Sequence, residues 1–233
     1  AERDALAAGL TALKTWAAPP SFLAPSTLAE PAEGVDAEKE GSPSWTRYGV
    51  SSLEAGQDEK ARAFGGLVHA LLARLDLPSI RSAKDFAAEA EDIAFDFELD
   101  EVDAKTALGL IQRAAGRPMF QRAASAARRW RELPFLYRLE GRLLRGSADL
   151  VFEEGEALVV MDFKTDSIPK KEAKERALSH APQVAAYAMG VEAASGRRVD
   201  EMVVSFLRPG MEISLPFDES AKEKLRSAVR RAG

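Results

Sequence analysis

Cysteine is absent from this 233-residue chain, and histidine occurs only twice, at His69 and His180. The missing thiols exclude a disulfide framework, a thiolate zinc site, a cysteine-ligated iron–sulfur cluster and a cysteine nucleophile. Two imidazoles limit any chemistry built on histidine. No apolar run approaches the roughly 20 residues that a membrane helix needs. Residues 1–17 also lack the basic, apolar and small-residue order of a signal peptide. These absences fit a cytoplasmic protein with no membrane partner. The chain opens at Ala1 rather than Met, as expected of a segment cut from a longer polypeptide.

What is present has the balance of a globular protein. Hydrophobic residues make up 46% and charged residues 30%, too apolar for a disordered chain and long enough for one domain with an appendage. The net charge of −5 is modest but unevenly spread. Residues 84–103 carry nine acids against Lys84 alone, and residues 113–145 carry nine arginines against Glu132 and Glu140. Two oppositely charged solvated faces would account for this. So would an arginine-rich surface set against a phosphate backbone, where neutralised phosphates release counterions.

Leu6, Leu10, Leu13 and Trp16 recur at helical spacing and predict a helix over 1–17. Residues 18–47 hold Pro19, Pro20, Pro25, Pro31 and Pro43 among many acids, the composition of a linker. The main domain is expected over 48–233, with compact structure resuming near Val50. From Glu59 to Asp76, Phe64, Leu67, Val68, Leu71, Leu72 and Leu75 trace one helix face, which Pro78 ends. Further helices are expected over 84–94, 101–115 and 118–130. The pattern then changes: 134–140, 143–152 and 157–163 are rich in Leu, Val and Phe and read as strands. Glu153-Glu154-Gly155-Glu156 reads as a hairpin turn, with Gly155 free to take positive φ. A helix over 172–195 ended by Gly196, strands at 200–208 and 211–216 around Pro209-Gly210, and a helix over 218–231 complete the chain. Helices followed by a mixed sheet make an α/β core.

The segment from Gly146 to Asp166 concentrates the candidate chemistry. Asp149 stands in the first strand of the hairpin, Asp162 and Lys164 near the end of the second. Residues two apart on a strand share a face about 7 Å apart. Asp162 and Lys164 therefore point the same way, and the hairpin can bring Asp149 across to them. Two carboxylates in one small site repel unless a proton or a cation lies between them. Oxygen ligands of this kind suit Mg²⁺ or Mn²⁺ rather than zinc or copper. An ordinary hairpin with a lysine salt bridge would also contain Asp162 and Lys164. Against that stands Leu158-Val159-Val160-Met161, a run fit for a strand buried on both faces, at whose tip a carboxylate is costly without a partner.

Five stretches in order give a more specific reading. They are Gly65-Gly66-Leu67-Val68-His69, Trp130-Arg131-Glu132-Leu133-Pro134-Phe135, Gly146-Ser147-Ala148-Asp149-Leu150-Val151-Phe152, Asp162-Phe163-Lys164-Thr165-Asp166 and Gln183-Val184-Ala185-Ala186-Tyr187-Ala188. Together they resemble the PD-(D/E)XK nucleases, specifically the RecB-like, AddA-type nuclease domain of bacterial helicase–nucleases, over about residues 48–233. The resemblance implies a restriction-endonuclease-like α/β fold and a Mg²⁺-dependent deoxyribonuclease, with Mn²⁺ able to substitute. It implies an exonuclease at the C-terminal end of an ATP-dependent helicase–nuclease, acting in double-strand-break repair and recombination. Asp149 and Asp162 match the metal-binding acids, the backbone carbonyl of Phe163 a further ligand, His69 a ligand from the preceding helix and Lys164 the catalytic lysine. Glu132 matches an acid near the metal, and Thr165 and Asp166 extend the lysine motif as supporting residues. Gln183 and Tyr187, four apart on one helix face, would approach DNA, as would Arg142 and Arg145; His180 has no part in this scheme. The implied partners are DNA, delivered as single strands by a helicase motor in the same polypeptide, and a second helicase–nuclease subunit.

Some features depart from the family. Phe163 stands where many relatives have Tyr, so a hydroxyl that could touch phosphate is missing while the backbone carbonyl remains. The four cysteines that hold an iron–sulfur cluster in sibling groups are absent, which points to the cluster-free type. No GxxxxGK(S/T) loop occurs, so the motor itself lies elsewhere. The alternatives are a stand-alone RecB-family exonuclease and a catalytically inactive DNA-binding or scaffolding module of the same fold.

Overall fold

The computed structural model describes residues 22–28, 52–75 and 86–232. The helix expected over 1–17, most of the linker and Pro78 lie outside these residues.

Helix α1 (Ser52–Arg74) buries Phe64, Leu67, Val68, Leu71 and Leu72, so the apolar stripe of the sequence is the packed face. Helices α2 (Ala87–Asp96) and α3 (Glu101–Ala115) meet it through Ile93, Leu108 and Ile111. Asp100 opens α3, its Oδ1 accepting the Asp103 N–H at 2.9 Å, and Glu101 and Asp103 sit in the first turn, where the helix dipole favours acids. Part of the acidic stretch is thus a helix start; Glu89, Glu91, Asp92, Asp96 and Glu98 form an exposed face.

Helix α4 (Pro118–Ser125) carries proline at its first position and is shorter than the 118–130 expected. The chain leaves the helix because strand β2 (Arg129–Leu139) begins there, with Arg129 paired to Phe152. The Arg129 guanidinium donates back to the carbonyls of Ala123 (3.3 Å), Ala124 (2.8 Å) and Ala126 (3.4 Å), satisfying the exposed helix end.

Strand β3 (Arg142–Glu154) pairs antiparallel with β2 along one edge and with β4 (Ala157–Lys164) on the other, through a turn where Gly155 has φ 63°. Helix α5 (Ala173–Ser195) then leads to β5 (Val199–Phe206), parallel to β4, and β6 (Met211–Pro216) returns antiparallel to β5. Helix α6 (Glu219–Arg231) closes the chain. On one sheet face Leu150, Phe152, Val159, Met161 and Phe163 meet α1 to α4; on the other Val151, Leu158, Val160, Met202 and Val204 meet α5 and α6. A strand covered on both faces needs apolar residues at successive positions, which is why 158–161 contains no polar alternation.

Residues 22–28 were expected within the linker, yet Phe22–Leu23 add a strand to this sheet and the turn after them packs against it. Strand β1 (Phe22–Leu23) runs parallel to Leu143–Leu144, and the 3₁₀ turn Pro25–Leu28 buries Pro25 and Leu28. Proline suits the end of a short edge strand as well as a linker, so composition alone could not separate the two.

The pairing around β3 positions the site. Because β2 fills one edge of β3, strands β1 and β4 must share the other, β1 at Leu143–Leu144 and β4 from Leu150 onward. Residues 145–149 have no strand partner on that edge among the described residues. Strand β4 keeps its ladder with β5 as far as Lys164 opposite Phe206 but leaves β3 after Met161. The hairpin therefore splays at Asp149 and Asp162.

Candidate functional site

The splay leaves the Phe163 N–H without a β3 carbonyl, and Asp149 Oδ2 accepts it instead at 2.7 Å. Asp149 is 8% exposed, its other oxygen facing α1. There Gly65 allows the close approach: a Cβ at that position would lie 3.3 Å from Thr165 Oγ1. Four helix residues advance about 6 Å and two strand residues about 7 Å, so Gly65 against Thr165 brings His69 to Phe163. His69 Nε2 lies 3.1 Å from the Phe163 carbonyl oxygen, and Nδ1 lies 3.5 Å from Asp149 Oδ1 and 4.0 Å from Glu132 Oε1.

Glu132 arrives through the backbone. Its neighbours pair as Arg131 with Leu150 and Leu133 with Ala148, which sets Glu132 opposite Asp149, but a φ of 48° takes it out of the ladder. Such a conformation is uncommon for a residue other than glycine and costs on the order of 1–3 kcal/mol. His69, Glu132 and Asp149 each offer a ligand atom within 4.8 Å of the others.

Asp162 is placed differently from the expectation that it would join His69 and Asp149. The alternation of β4 turns Asp162 and Lys164 together toward α5, whereas His69 comes from the opposite sheet face. Asp162 is 1% exposed, and the Lys164 Nζ lies 3.0 Å from its Oδ2 and donates to its Oδ1 at 3.3 Å. Asp162 thus pairs with Lys164 and couples by charge to His69 and Asp149.

The ionisation states follow. Burial pushes the His69 imidazole down, but the Asp149 carboxylate, by charge and by hydrogen bond with Asp162 behind it, raises it to about 9. Burial raises the Asp162 carboxyl, with Lys164 opposing and Asp149 adding to the shift. Burial alone would lower the Lys164 ammonium; Asp162 and then Asp149 more than reverse this. Burial and then the Asp149 charge push Glu132 up. A group of side chains in which the Asp149 charge raises Glu132 and Asp162 and holds a proton on imidazole has a surplus of negative potential, the condition that attracts a divalent cation.

Lys164 is held from the other side. Its Nζ donates to Gln183 Oε1 at 3.1 Å, and Gln183 Nε2 donates to the Tyr187 hydroxyl at 2.6 Å. The family model of the PD-(D/E)XK nuclease superfamily matches residues 45–232. The chain belongs to that superfamily. An ATP-dependent helicase/nuclease subunit of Listeria monocytogenes is 27% identical over 169 residues, covering 63% of this chain and 13% of that protein. The like-named proteins of Pelotomaculum thermopropionicum and Desulforudis audaxviator are 26% and 30% identical, covering 72% and 68% of this chain and 14% of each relative. The chain thus spans about an eighth of the length of these relatives.

In this PD-(D/E)XK domain, Gln183 and Tyr187 do not offer the open surface to DNA that their motif suggested. They are 6% and 7% exposed, and Tyr187 packs on Phe135 with ring centroids 5.7 Å apart. Their hydrogen-bond chain orients the lysine. Replacing Gln183 with Leu should therefore lower kcat roughly tenfold while leaving divalent-ion affinity unchanged, since one charge-assisted hydrogen bond is lost and no cation donor is. Steady-state cleavage and calorimetric Mn²⁺ titration of the variant check this.

The Phe163 ring is buried and stacks on Phe120 at 5.5 Å. An aromatic ring there faces the core, so the change from Tyr costs no surface hydroxyl. Asp166 lies 3.8 Å from His180 Nε2 and 3.9 Å from Arg176 Nε, and its contact with His180 holds the carboxyl low against the effect of burial. His180, which has no place in the motif scheme, sits three residues before Gln183 on α5, and that i, i+3 spacing was the available signal.

The arginine-rich stretch is largely structural. Arg117 donates to the Leu207 carbonyl at 2.9 Å, Arg138 to Gly141 at 3.2 Å, and Arg131 to Leu75. Arg122 binds Glu154 at 2.8 Å through Nε and Glu201 at 2.7 Å, and Arg128 lies 3.7 Å from Glu153. Arg142 and Arg145 are seven and four residues before Asp149, about 23 and 13 Å back along β3, away from the acids. No helix among the described residues is long and apolar enough to cross a membrane.

Proposed function

We propose that this domain is a Mg²⁺-dependent deoxyribonuclease that hydrolyses DNA phosphodiester bonds as an exonuclease. The observation that carries this reading is the convergence of His69, Glu132 and Asp149 within 4.8 Å, with a buried ammonium paired to Asp162 alongside. The donors are carboxylates, one imidazole and the Phe163 carbonyl, with no thiolate, a set that fits Mg²⁺ or Mn²⁺. His69, Asp149 and Glu132, with Asp162 and the Phe163 carbonyl, would hold the cation. When bound, such a cation polarises the scissile phosphate and makes an attacking water more acidic.

The remaining work falls to the chain itself. Lys164 keeps its ammonium because Asp162 and Asp149 stabilise it, and so offers fixed positive charge where a phosphate oxygen becomes more negative. Gln183, braced by Tyr187, fixes the position of that charge. Thr165 and Asp166 continue the strand end on which Lys164 is mounted, and Arg142 and Arg145 extend the DNA path along β3. Phosphate contacts carry little sequence information, which favours progressive degradation over site-specific cutting.

The wider setting rests on the helicase/nuclease relatives, of which this chain covers 13–14%. We place the domain at the end of a cytoplasmic polypeptide whose helicase motor delivers single strands, working with a second helicase–nuclease subunit in double-strand-break repair and recombination. Burying a lysine and an aspartate side by side carries a desolvation cost that an inactive module would bear for nothing, which weighs against that alternative. An end-labelled single-stranded oligonucleotide incubated with Mg²⁺ should be degraded progressively to short products. EDTA should abolish this and Mn²⁺ restore it; a chain inert with both ions on single strands and duplexes would overturn the proposal.

A further inference from the structure

Beyond the cation-binding acids and Lys164, one arginine is anchored beside the strand end that carries Lys164. Arg208 follows β5, whose last residue, Phe206, pairs with Lys164, and the Leu207 N–H donates to the Lys164 carbonyl at 2.8 Å. The Arg208 side chain is then tied down twice. Its Nε donates to the Thr165 carbonyl at 2.8 Å, and its Cζ lies 4.5 Å from the centre of the Phe64 ring. Both anchors belong to the site: Thr165 is the residue after Lys164, and Phe64 is on α1, the helix that carries His69. Behind it, Arg117 holds the Leu207 carbonyl, which fixes the turn from which Arg208 projects.

Arg208 is exposed, and its two terminal NH₂ groups make no hydrogen bond or ion pair among the described residues. Arg117, Arg122 and Arg131, by contrast, are engaged by carboxylates or carbonyls. A guanidinium whose Nε is already bound and whose Cζ lies over an aromatic ring has little freedom left to lose, and its remaining fork suits a phosphate. It also lies at the carboxyl end of the parallel β4–β5 pair, the end at which ligands of α/β sheets collect. The geometry points to Arg208 as a preorganised binding residue for a non-scissile phosphate of the DNA strand, next to the phosphate engaged by Lys164. This inference rests on the nuclease reading of the same site and extends it to how the strand is held.

The test compares wild type, Arg208→Ala and Arg208→Lys of the 233-residue chain. Affinity for a labelled single-stranded oligonucleotide is measured by anisotropy across a salt series in the Lys164→Ala background with Mg²⁺, and cleavage kinetics and Tm are measured with Lys164 intact. Loss of one phosphate contact should reduce the slope of log affinity against log salt by about 0.7. KM should rise roughly tenfold with kcat changed much less. Arg208→Lys should keep the slope but recover the affinity only in part, because an ammonium has neither the fork nor the stacking plane. A wild type that cuts DNA, with Arg208→Ala showing an unchanged slope and KM and only a lowered Tm, would make Arg208 a clamp between α1 and β4 and overturn the inference alone. A wild type that neither binds nor cuts DNA would overturn the nuclease reading with it.

Discussion

Lys164→Ala should lower the single-turnover rate of DNA cleavage about a thousandfold while oligonucleotide affinity changes only a few-fold. The ammonium is the one positive group in the cleft paired directly to the buried Asp162 among the described residues, and preorganised charges of this kind contribute about 10²–10³ in rate. On the proposed nuclease reading, many residues would hold the substrate in the ground state but this charge would be needed when the phosphate oxygen becomes more negative, so the loss should fall on kcat. The variant leaves Asp162 at 1% exposure without its partner. Breaking a buried ion pair costs about 3–5 kcal/mol when the survivor stays charged. Here the cost should lie at or below that range, because burial already favours the protonated form of Asp162. Urea unfolding reports it, and a folded variant retaining more than a tenth of the wild-type rate would refute the assigned role. Lys164→Arg is not a rescue, since a planar guanidinium cannot take the place of a compact ammonium between Asp162 and Gln183.

Asp149→Asn should weaken Mn²⁺ or Mg²⁺ binding by about a hundredfold or more and reduce cleavage in proportion. The choice of asparagine matters. Its amide oxygen can still accept the Phe163 N–H that Asp149 Oδ2 accepts at 2.7 Å, so the splay between β3 and β4 survives and only the charge is lost. Alanine would leave that buried N–H unsatisfied, at about 1–3 kcal/mol, and would confuse loss of fold with loss of metal. Disturbing residues that merely support a ligand typically costs about 10–100-fold in metal affinity, so removing the central carboxylate should do at least as much. Isothermal calorimetry with Mn²⁺ on the folded variant decides this, and undiminished binding would place the cation elsewhere.

Several parts of this molecule were legible without coordinates. The α1 stripe from Phe64 to Leu72, the Gly155 turn and the end of α5 at Gly196 all rest on rules that operate within a few residues, namely helical period, strand alternation and glycine at positive φ. Asp149, Asp162, Lys164 and His69 were likewise visible as residue types in a recognisable order. Which arginines between 113 and 145 serve the fold was not legible, because their partners are remote: Arg122 finds Glu201, Arg117 finds Leu207 and Arg131 finds Leu75. Local charge counts have no access to such pairs.

The same division runs through the site. The order of side chains alone determined the hairpin and the helix that carries an imidazole, and it put two acids and a lysine on the hairpin. Tertiary structure alone brought Glu132 to His69 and Asp149, paired the Lys164 ammonium with Asp162, and made Phe22–Leu23 a strand of the sheet. The reason is that a strand's alternation can be counted along the chain, whereas the face each neighbour approaches from is set by how β1 and β4 divide one edge of β3, and the positive φ of Glu132 has no signature in the residues around it.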